Sequence, residues 1–410
     1  MARRTTEHQT RVGPTSPSAR RADPLDVDAL LADRRTNIIV CCGSGGVGKT
    51  TSAAALALRA AEQGRKVVVL TIDPARRLAQ SMGIEALDNT PRPVSGVAGP
   101  GSLDAMMLDM KRTFDEVVES QASPEKAKQI LANPFYIALS SSFAGTQEYM
   151  AMEKLGQLHR EHVVGAAGGR PRGSKDAATY DLIVVDTPPS RSALDFLDAP
   201  ERLSSFLDGR FVRLMLAPAR GPAKLMSAGF SLITNALTKI LGAQFLKDLQ
   251  MFVSALDTVF GGFRQRAQQT YSLLQARGTA FLVVAAPEPD ALREAAYFVE
   301  RLSEDGMPLA GLIVNRASPA PESALAAEEA LAGAGRLDSD GEGALASGLL
   351  RLHADQVRLV ERERGLRERF AAAHPQVPTA VVPALAGDVH DLEGLRRIGD
   401  LLAEASRTTG

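Results

Sequence analysis

A short glycine-rich stretch carries residue types that bind phosphate groups. Residues 43–50 read GSGGVGKT and match the pattern G-x-x-x-x-G-K-T. Glycines let successive backbone N–H groups converge on phosphate oxygens, and a helix that starts there adds partial positive charge. In this chemistry Lys49 contacts the β and γ phosphates and Thr50 is a ligand of Mg²⁺. The residues predicted to bind ATP in this loop are Gly43, Ser44, Gly45, Gly46, Val47, Gly48, Lys49, Thr50 and Thr51.

The elements around this loop are the ones that its chemistry requires. The apolar run NIIVCC at residues 37–42 predicts a strand before the loop, and the alanine-rich residues 52–62 predict a helix after it. A glycine-rich turn without function is the alternative interpretation, and the order of strand, loop and helix argues against it. The loop is therefore expected at the carboxyl edge of a parallel sheet.

Two aspartates follow other apolar runs. The run KVVVLTI leads into Asp73, which we predict to lie on a strand beside the first and to orient the attacking water as a catalytic residue. The run DLIVV ends at Asp186, which we predict to position Mg²⁺, and the loop after it is a natural sensor of the γ phosphate. The alternatives are that Asp73 is a helix cap or turn residue and that Asp186 is only structural.

Six continuous apolar runs alternate with longer helical stretches from residue 37 onward. They are NIIVCC, KVVVLTI, YDLIVVD, TAFLVVAA, LAGLIVN and TAVVPA. Continuous apolar runs are typical of parallel strands that helices cover on both faces. We therefore predict an α/β fold with a doubly wound, mostly parallel sheet, as in P-loop NTPases.

The rest of the chain suggests how this fold is elaborated. Residues 113–161 and 200–276 lack strand runs, and we predict that they form a helical subdomain inserted into a P-loop ATPase domain of residues 36–410. Residues 1–35 are rich in Arg, Ser, Thr and Pro, which predicts a disordered tail. Residues 319–347 are expected to form a loop that is helical in part.

The composition argues against several other classes of protein. The chain has 47 basic and 48 acidic residues, and a net charge of -1 makes a nucleic-acid partner unexpected. The two cysteines, Cys41 and Cys42, are adjacent and should point to opposite faces of a strand, which provides neither a disulfide nor a zinc site. The sequence has no secretory signal and no apolar run of about 18 residues, so we predict a cytoplasmic protein.

Five motifs follow one another along the chain: GSGGVGKT, TIDPA, VVDTPPS, VVAAPEPDALREAAYFVERL and GLIVNR. Together they resemble the motifs of the ArsA/Get3 ATPases, within the larger class of MinD and ParA proteins, and most of all those of the ArsA-like proteins of actinobacteria. The resemblance implies a Mg²⁺-dependent ATPase that works as a dimer and closes according to its nucleotide state. It makes Asp73 and Asp186 the switch aspartates, Asn315 the contact to adenine, and Pro383 part of the adenine-side loop. The amide of Asn315 can itself donate and accept hydrogen bonds toward a purine edge, although a purely structural role is the alternative.

The chain departs from the family's pattern in three ways. Arsenite-dependent members use cysteines in the helical region, which this chain lacks, so metalloid extrusion is not expected. Get3-type members join their dimer through zinc on a CxxC pair, which is also absent, so no zinc is expected. The family's loop carries a lysine that crosses to the partner's nucleotide, and this chain has Ser44 there, whose hydroxyl is short and uncharged.

Ser44 leaves two hypotheses about the dimer. In a homodimer, either hydrolysis is slow or a nearby arginine replaces the lysine, with Arg76, Arg77 and Arg191 as candidates, although an ordinary surface arginine is the simpler interpretation of each. In a heterodimer, a paralogous ArsA-like subunit supplies the cation. We favour the heterodimer slightly, because an asymmetric pair tolerates loss of the lysine on one side.

Two alternative functions remain. Get3-type members hold apolar client segments in a groove, and residues 211–263 have suitable apolar side chains, although an ordinary helical core is the simpler interpretation. The chain could therefore be a nucleotide-gated chaperone or targeting factor with slow hydrolysis, acting on an apolar client peptide or a membrane protein. A ParA/MinD-like positioning ATPase is the other alternative, but the C-terminal LRRIGDLLAEASRTTG is a poor membrane-binding helix.

Overall fold

The computed structural model describes most of the predicted sheet and the helices around it. The described residues are 23–73, 77–134, 136–137, 140, 146–162, 180–188, 262–339 and 343–405. The strands are β1 (Ile38–Gly43), β2 (Lys66–Thr71), β3 (Arg92–Pro93), β4 (Ser102–Met107), β5 (Leu182–Asp186), β6 (Thr279–Ala285), β7 (Leu309–Ala317) and β8 (Thr379–Pro383). The helices are α1 (Val27–Ala32), α2 (Lys49–Glu62), α3 (Arg77–Ser81), α4 (Met110–Gln121), α5 (Pro124–Leu131), α6 (Thr146–His162), α7 (Phe263–Gln275), α8 (Pro289–Glu304), α9 (Ala327–Ser339), α10 (Ala344–Ala373) and α11 (Leu392–Glu404).

The described strands form one sheet in the order β3-β4-β2-β5-β1-β6-β7-β8. All neighbouring pairs are parallel except β3 with β4, which confirms the predicted fold class. One expectation about strand order is wrong. Strand β2 does not lie beside β1, because β5 returns between them and pairs with both. Thr71 at the end of β2 therefore lies opposite Asp186 at the end of β5.

Helices cover both faces of the sheet and bury two apolar layers. Val40 and Cys42 of β1 belong to one layer, together with side chains from α4, α5, α6 and α7. Ile39 and Cys41 belong to the other layer, which includes side chains from α1, α2 and α11. The two cysteines are thus on opposite faces, as predicted. Burial raises the pKa of Cys41 well above its usual value and that of Cys42 to about 12, so both remain thiols.

Residues 23–35 are folded, and the predicted tail boundary is wrong for this part of the chain. The Leu25 N–H donates to the carbonyl of Thr379 at the edge of β8 (3.2 Å), so the segment extends the sheet. Val27 and Leu31 of α1 are fully buried. The polar composition of the whole N-terminal region concealed a few apolar residues whose spacing is sufficient for one short packed helix. Residues 1–22 lie outside the described part.

Helix α2, which follows the glycine-rich loop, is held by the first and last described helices. The Arg59 guanidinium forms an ion pair with Asp28 of α1 at 2.6 Å and another with Asp400 of α11 at 2.8 Å. Alanines fill the buried faces of α2, which allows these neighbouring elements to approach closely. The helix behind the loop is therefore fixed at its outer side as well as against the sheet.

The helices predicted around residues 113–161 are present in the described part as α4, α5 and α6, and α7 falls in the second predicted helical segment. Residues 189–261 lie outside the described residues, so the inserted subdomain stays a prediction. Sequence analysis missed strand β4, and the expected loop at 319–347 contains α9 and the start of α10. Within the described residues, no helix has the length and apolar character needed to cross a membrane.

Candidate functional site

A cleft of about 1130 Å³ opens at the carboxyl ends of the parallel strands. Its volume suits a ligand of nucleotide size, and the position is where open α/β sheets bind ligands. The predicted site residues that line it are Gly45, Gly46, Gly48, Lys49, Thr50, Thr51, Asp73, Asn315 and Pro383. Gly43, Ser44, Val47 and Asp186 do not line the cleft, and they support the lining residues from behind.

The glycines of the loop are needed for its backbone path. Gly43 has φ +147°, and a Cβ there would lie 2.0 Å from the carbonyl oxygen of Val284 on β6. Gly46 and Gly48 have φ +78° and +92°, conformations that side chains disfavour. Helix α2 begins directly after Gly48 and receives no capping side chain. Its first N–H groups therefore form the kind of anion site expected at a helix N-terminus.

Lys49 is buried beside this loop. Its side chain is 7% exposed, and Nζ donates a hydrogen bond to the carbonyl of Ser44 at 2.7 Å. Burial lowers the pKa of Lys49, and the negative charge of Asp186 opposes that effect. Among the described residues, the buried hydroxyl of Ser44 has no hydrogen-bond partner. Ser44 thus contributes its main chain to the site, while its side chain contributes no charge.

Asp186 is completely buried, and among the described residues only one of its two carboxylate oxygens has hydrogen-bond partners. Thr50 and Thr71 donate their hydroxyls to the same carboxylate oxygen, Oδ2, at 2.8 Å and 2.9 Å. The other oxygen, Oδ1, has no hydrogen-bond partner among the described residues. Burial raises the pKa of Asp186 to about 6. A buried carboxylate oxygen without a donor, next to a threonine hydroxyl, fits a hard cation such as Mg²⁺, which takes oxygen ligands directly or through water.

The two aspartates are connected through Thr71, which sequence analysis missed. The Thr71 hydroxyl donates to Asp186 and accepts a hydrogen bond from the backbone N–H of Asp73 at 3.2 Å. Thr71 is 1% exposed, so this contact is shielded from water. A hydroxyl residue two positions before a strand-end aspartate was visible in the sequence, but its partner depends on the pairing of β2 with β5.

Strand β7 brings two polar side chains to the other side of the loop. Asn315 is buried, and its amide donates to the carbonyl of Val47 at 2.9 Å. The next residue, Arg316, donates from Nη1 to the carbonyl of Gly46 at 3.0 Å and also lines the cleft. Sequence analysis missed Arg316, although the NR pair at a strand end was visible.

The remaining predicted residues fall at the edge of the described structure. Pro383 ends β8, and the loop of residues 384–390 after it lines the cleft with it. The side chains of Arg76, Arg77 and Arg191, and the predicted apolar groove at 211–263, lie outside the described part. No cluster of three or more His, Cys, Asp or Glu residues suited to a metal ion is found among the residues that the structure describes.

Comparisons with known proteins relate most of this chain to one family. Residues 36–330 match the family model described as anion-transporting ATPase (ArsA). ATPase GET3 of Malassezia globosa is 28% identical over 186 residues, which are 45% of this chain and 49% of that protein. ATPase GET3C of Arabidopsis thaliana is 25% identical over 298 residues, 68% of this chain and 67% of that one. ATPase BagA of Mycobacterium tuberculosis is 24% identical over 376 residues, 88% and 91% respectively. The matched region thus spans about half of the fungal relative and most of the mycobacterial one.

Proposed function

Because the chain belongs to the anion-transporting ATPase (ArsA) family, we propose that it binds ATP with Mg²⁺ in the cleft and hydrolyses it. The observation that carries the proposal is the unsatisfied oxygen of Asp186, which is buried behind the glycine-rich loop beside the Thr50 hydroxyl. A buried charge of this kind is costly unless a ligand completes it. The family supplies the reaction, and these contacts indicate how this chain would perform it.

Each side chain has a defined part in the proposed reaction. The loop N–H groups and Lys49 would hold the phosphates, and Thr50 with Asp186 would hold Mg²⁺. Bound Mg²⁺ supplies positive charge to the phosphate oxygens. Asp73 lines the cleft and would orient the attacking water, with its backbone fixed by Thr71. The catalysis is therefore mainly positioning and charge neutralisation.

A lysine substitution with a matched control tests the assignment. Lys49→Ala should abolish phosphate release from Mg²⁺–ATP, because it removes the buried cation of the loop. Lys66→Ala is the control, since Lys66 is an exposed lysine at the amino end of β2, away from the cleft. Wild-type turnover by Lys49→Ala would show that this lysine has no role in the reaction. Turnover in excess EDTA would show that the reaction does not need Mg²⁺.

The proposal includes a dimer whose closure follows nucleotide state, as the family resemblance implies. Either a second copy or a paralogous ArsA-like subunit is compatible with Ser44. Native mass spectrometry of the protein from its own cells identifies the partner and the bound nucleotide together. If the isolated chain has weak ATPase activity that rises when a paralogous subunit is added, the heterodimer is supported. Full activity of the isolated chain would count against it.

One observation favours client handling as a second candidate function. Three leucines on one face of α10, Leu345, Leu349 and Leu352, are 80%, 57% and 64% exposed. Their spacing of four and three residues gives one apolar stripe along the helix. The opposite face of α10 packs on α9, where Ala354 is buried and Leu350 and Val357 are partly buried, and the three exposed leucines lie outside this contact. An exposed stripe of this kind is typical of a surface that meets an apolar partner.

This stripe is connected to the proposed nucleotide site. Glu363 of α10 is buried and accepts hydrogen bonds from the N–H and the hydroxyl of Ser318, both at 2.8 Å. Ser318 follows β7, three residues after Asn315, the proposed adenine contact. A nucleotide that shifts β7 would therefore act on α10. We propose that the chain holds an apolar helical client there, and that ATP changes its affinity.

Solubility of a client measures this second function. The purified protein should keep a peptide with one apolar transmembrane segment in solution, and ATP should change the amount held. Leu345→Gln with Leu352→Gln should lower that amount, and ATP hydrolysis should be retained. Unchanged client solubility in the double variant would exclude the stripe as the client-binding surface.

The ParA/MinD-like positioning function has a separate test. DNA and liposome cosedimentation at low salt measures binding to either surface, and clear binding would support that alternative.

A further inference from the structure

We propose that Arg316 supplies a second cation to the nucleotide phosphates from within the same chain. The inference rests on the proposed binding of ATP in the cleft. It gives the site positive charge that Ser44 does not provide, without requiring a lysine from a partner. It also differs from the sequence-based candidates, Arg76, Arg77 and Arg191, which follow β2 and β5 in the sequence.

The backbone at Arg316 is the first observation. Among the described residues, Arg316 is the one non-glycine residue with positive φ, at +60°. The pairing of β7 with β8 shifts its register between Val314 and Ala317, which identifies an irregularity at this point of the strand. Such bulges redirect a side chain, and a strained backbone conformation persists where the surrounding structure enforces it, often at functional sites.

The direction of the side chain is the second observation. The guanidinium reaches the glycine-rich loop, and Nη1 donates to the carbonyl of Gly46 at 3.0 Å. Gly46 itself has open space where a Cβ would lie, so the guanidinium meets the loop at an uncrowded point. This hydrogen bond uses one of five N–H donors. The fork of an arginine is well suited to bind phosphate oxygens with its other donors.

The charge of Arg316 is the third observation. Among the residues that the structure describes, no Asp or Glu forms an ion pair with Arg316. Lys49 lies on the inner side of the same loop, where its Nζ contacts the carbonyl of Ser44. Two cations from one chain therefore border the loop, one buried and one at the surface. Their combined charge favours a polyphosphate over an uncharged nucleoside.

Two substitutions at Arg316 test this role. Arg316→Asn removes the charge but keeps a residue that tolerates positive φ, so the backbone should be retained. Arg316→Lys keeps the charge and loses the fork. Arg293→Asn on α8 is the control, because that arginine is 76% exposed and does not line the cleft. Calorimetric Kd values for ATP and for adenosine, with melting curves for each variant, give the measurement.

The two ligands separate a phosphate contact from a general effect on the loop. Arg316→Asn should weaken ATP binding about tenfold or more and change adenosine binding less than about twofold, because only ATP carries the phosphates. The Kd of Arg316→Lys for ATP should lie between those of the wild type and Arg316→Asn. Wild-type ATP affinity in Arg316→Asn, or equal losses for ATP and adenosine, would overturn the inference. Failure of the wild type to bind ATP would instead overturn the proposed function on which it rests.

Discussion

Replacement of Asp186 by Asn should make the metal-free protein more stable at neutral pH while it removes the proposed Mg²⁺ site. The side chain is fully buried, and its pKa is raised to about 6 from an ordinary value of 3.8. The difference of about 2.2 pH units corresponds to about 3 kcal/mol at 1.36 kcal/mol per unit. Asn keeps the shape and still accepts the hydroxyls of Thr50 and Thr71, so this cost should largely disappear.

The sign of the pH dependence follows from the raised pKa of Asp186. Below about pH 3.8 the carboxyl is protonated in both the folded and the unfolded chain, and it has no net effect. As pH rises toward about 6, the unfolded chain ionises first, and the folded state loses stability relative to it. Above that range both states are ionised and the full cost remains. The advantage of Asp186→Asn should therefore grow between about pH 4 and 6 and then stay level.

Urea denaturation in EDTA, without nucleotide, measures this difference at a series of pH values. Asp290→Asn is the control, because it removes one carboxylate in the same way from a side chain that is 87% exposed, whereas Asp186 is buried. Added Mg²⁺ and ATP should stabilise the wild type and not Asp186→Asn. We expect ionised, buried Asp186 to lower the free energy of unfolding. A variant that is less stable than the wild type at pH 7, or a difference in stability that does not depend on pH, would refute this.

Two further predictions concern the residues around the loop. Gly48→Ala would put a Cβ 2.2 Å from Nδ2 of Asn315 in a left-handed conformation, so it should weaken ATP binding more than Gly46→Ala, where nothing lies within 4 Å. Both variants share a backbone cost of about 1–2 kcal/mol in urea denaturation, and equal ATP affinities would contradict the role of the Asn315 contact. Thr71→Val should lower kcat roughly tenfold or more, with little change in KM, because Asp73 loses its anchor, whereas Thr71→Ser should retain activity. Steady-state kinetics decide this, and an active Thr71→Val would exclude the anchoring role.

Local patterns predicted the parts of the site that lie close together in the sequence. The glycine-rich loop lies between a strand and a helix, as its eight residues and their neighbours predicted, and its role in binding phosphate stays a prediction. The fold class follows in the same way, because continuous apolar runs and helical stretches alternate along the chain. These patterns are repeated and strong, and tertiary contacts do not overrule them.

Contacts that depend on strand pairing were not predictable. The link from Thr71 to Asp186 requires β5 to return between β1 and β2, which no local pattern specifies. Arg316 reaches the loop through a register shift and a positive φ, and an arginine gives no sequence indication of either. Residues 23–35 were misassigned because composition averages over a region and hides the few apolar side chains that are buried.

The two ion pairs of Arg59 on α2 affect how the site responds to changes in distant parts of the chain. Arg59 connects this helix to Asp28 and Asp400, which are 372 positions apart in the sequence (400 − 28). One wall of the cleft is therefore anchored to both extremities of the described chain. A tag or truncation that disturbs α1 or α11 would loosen the base on which the phosphate loop stands. A difference in activity between forms of this protein with different ends would then reflect how firmly α2 is held, and not a change in the residues that carry out the reaction.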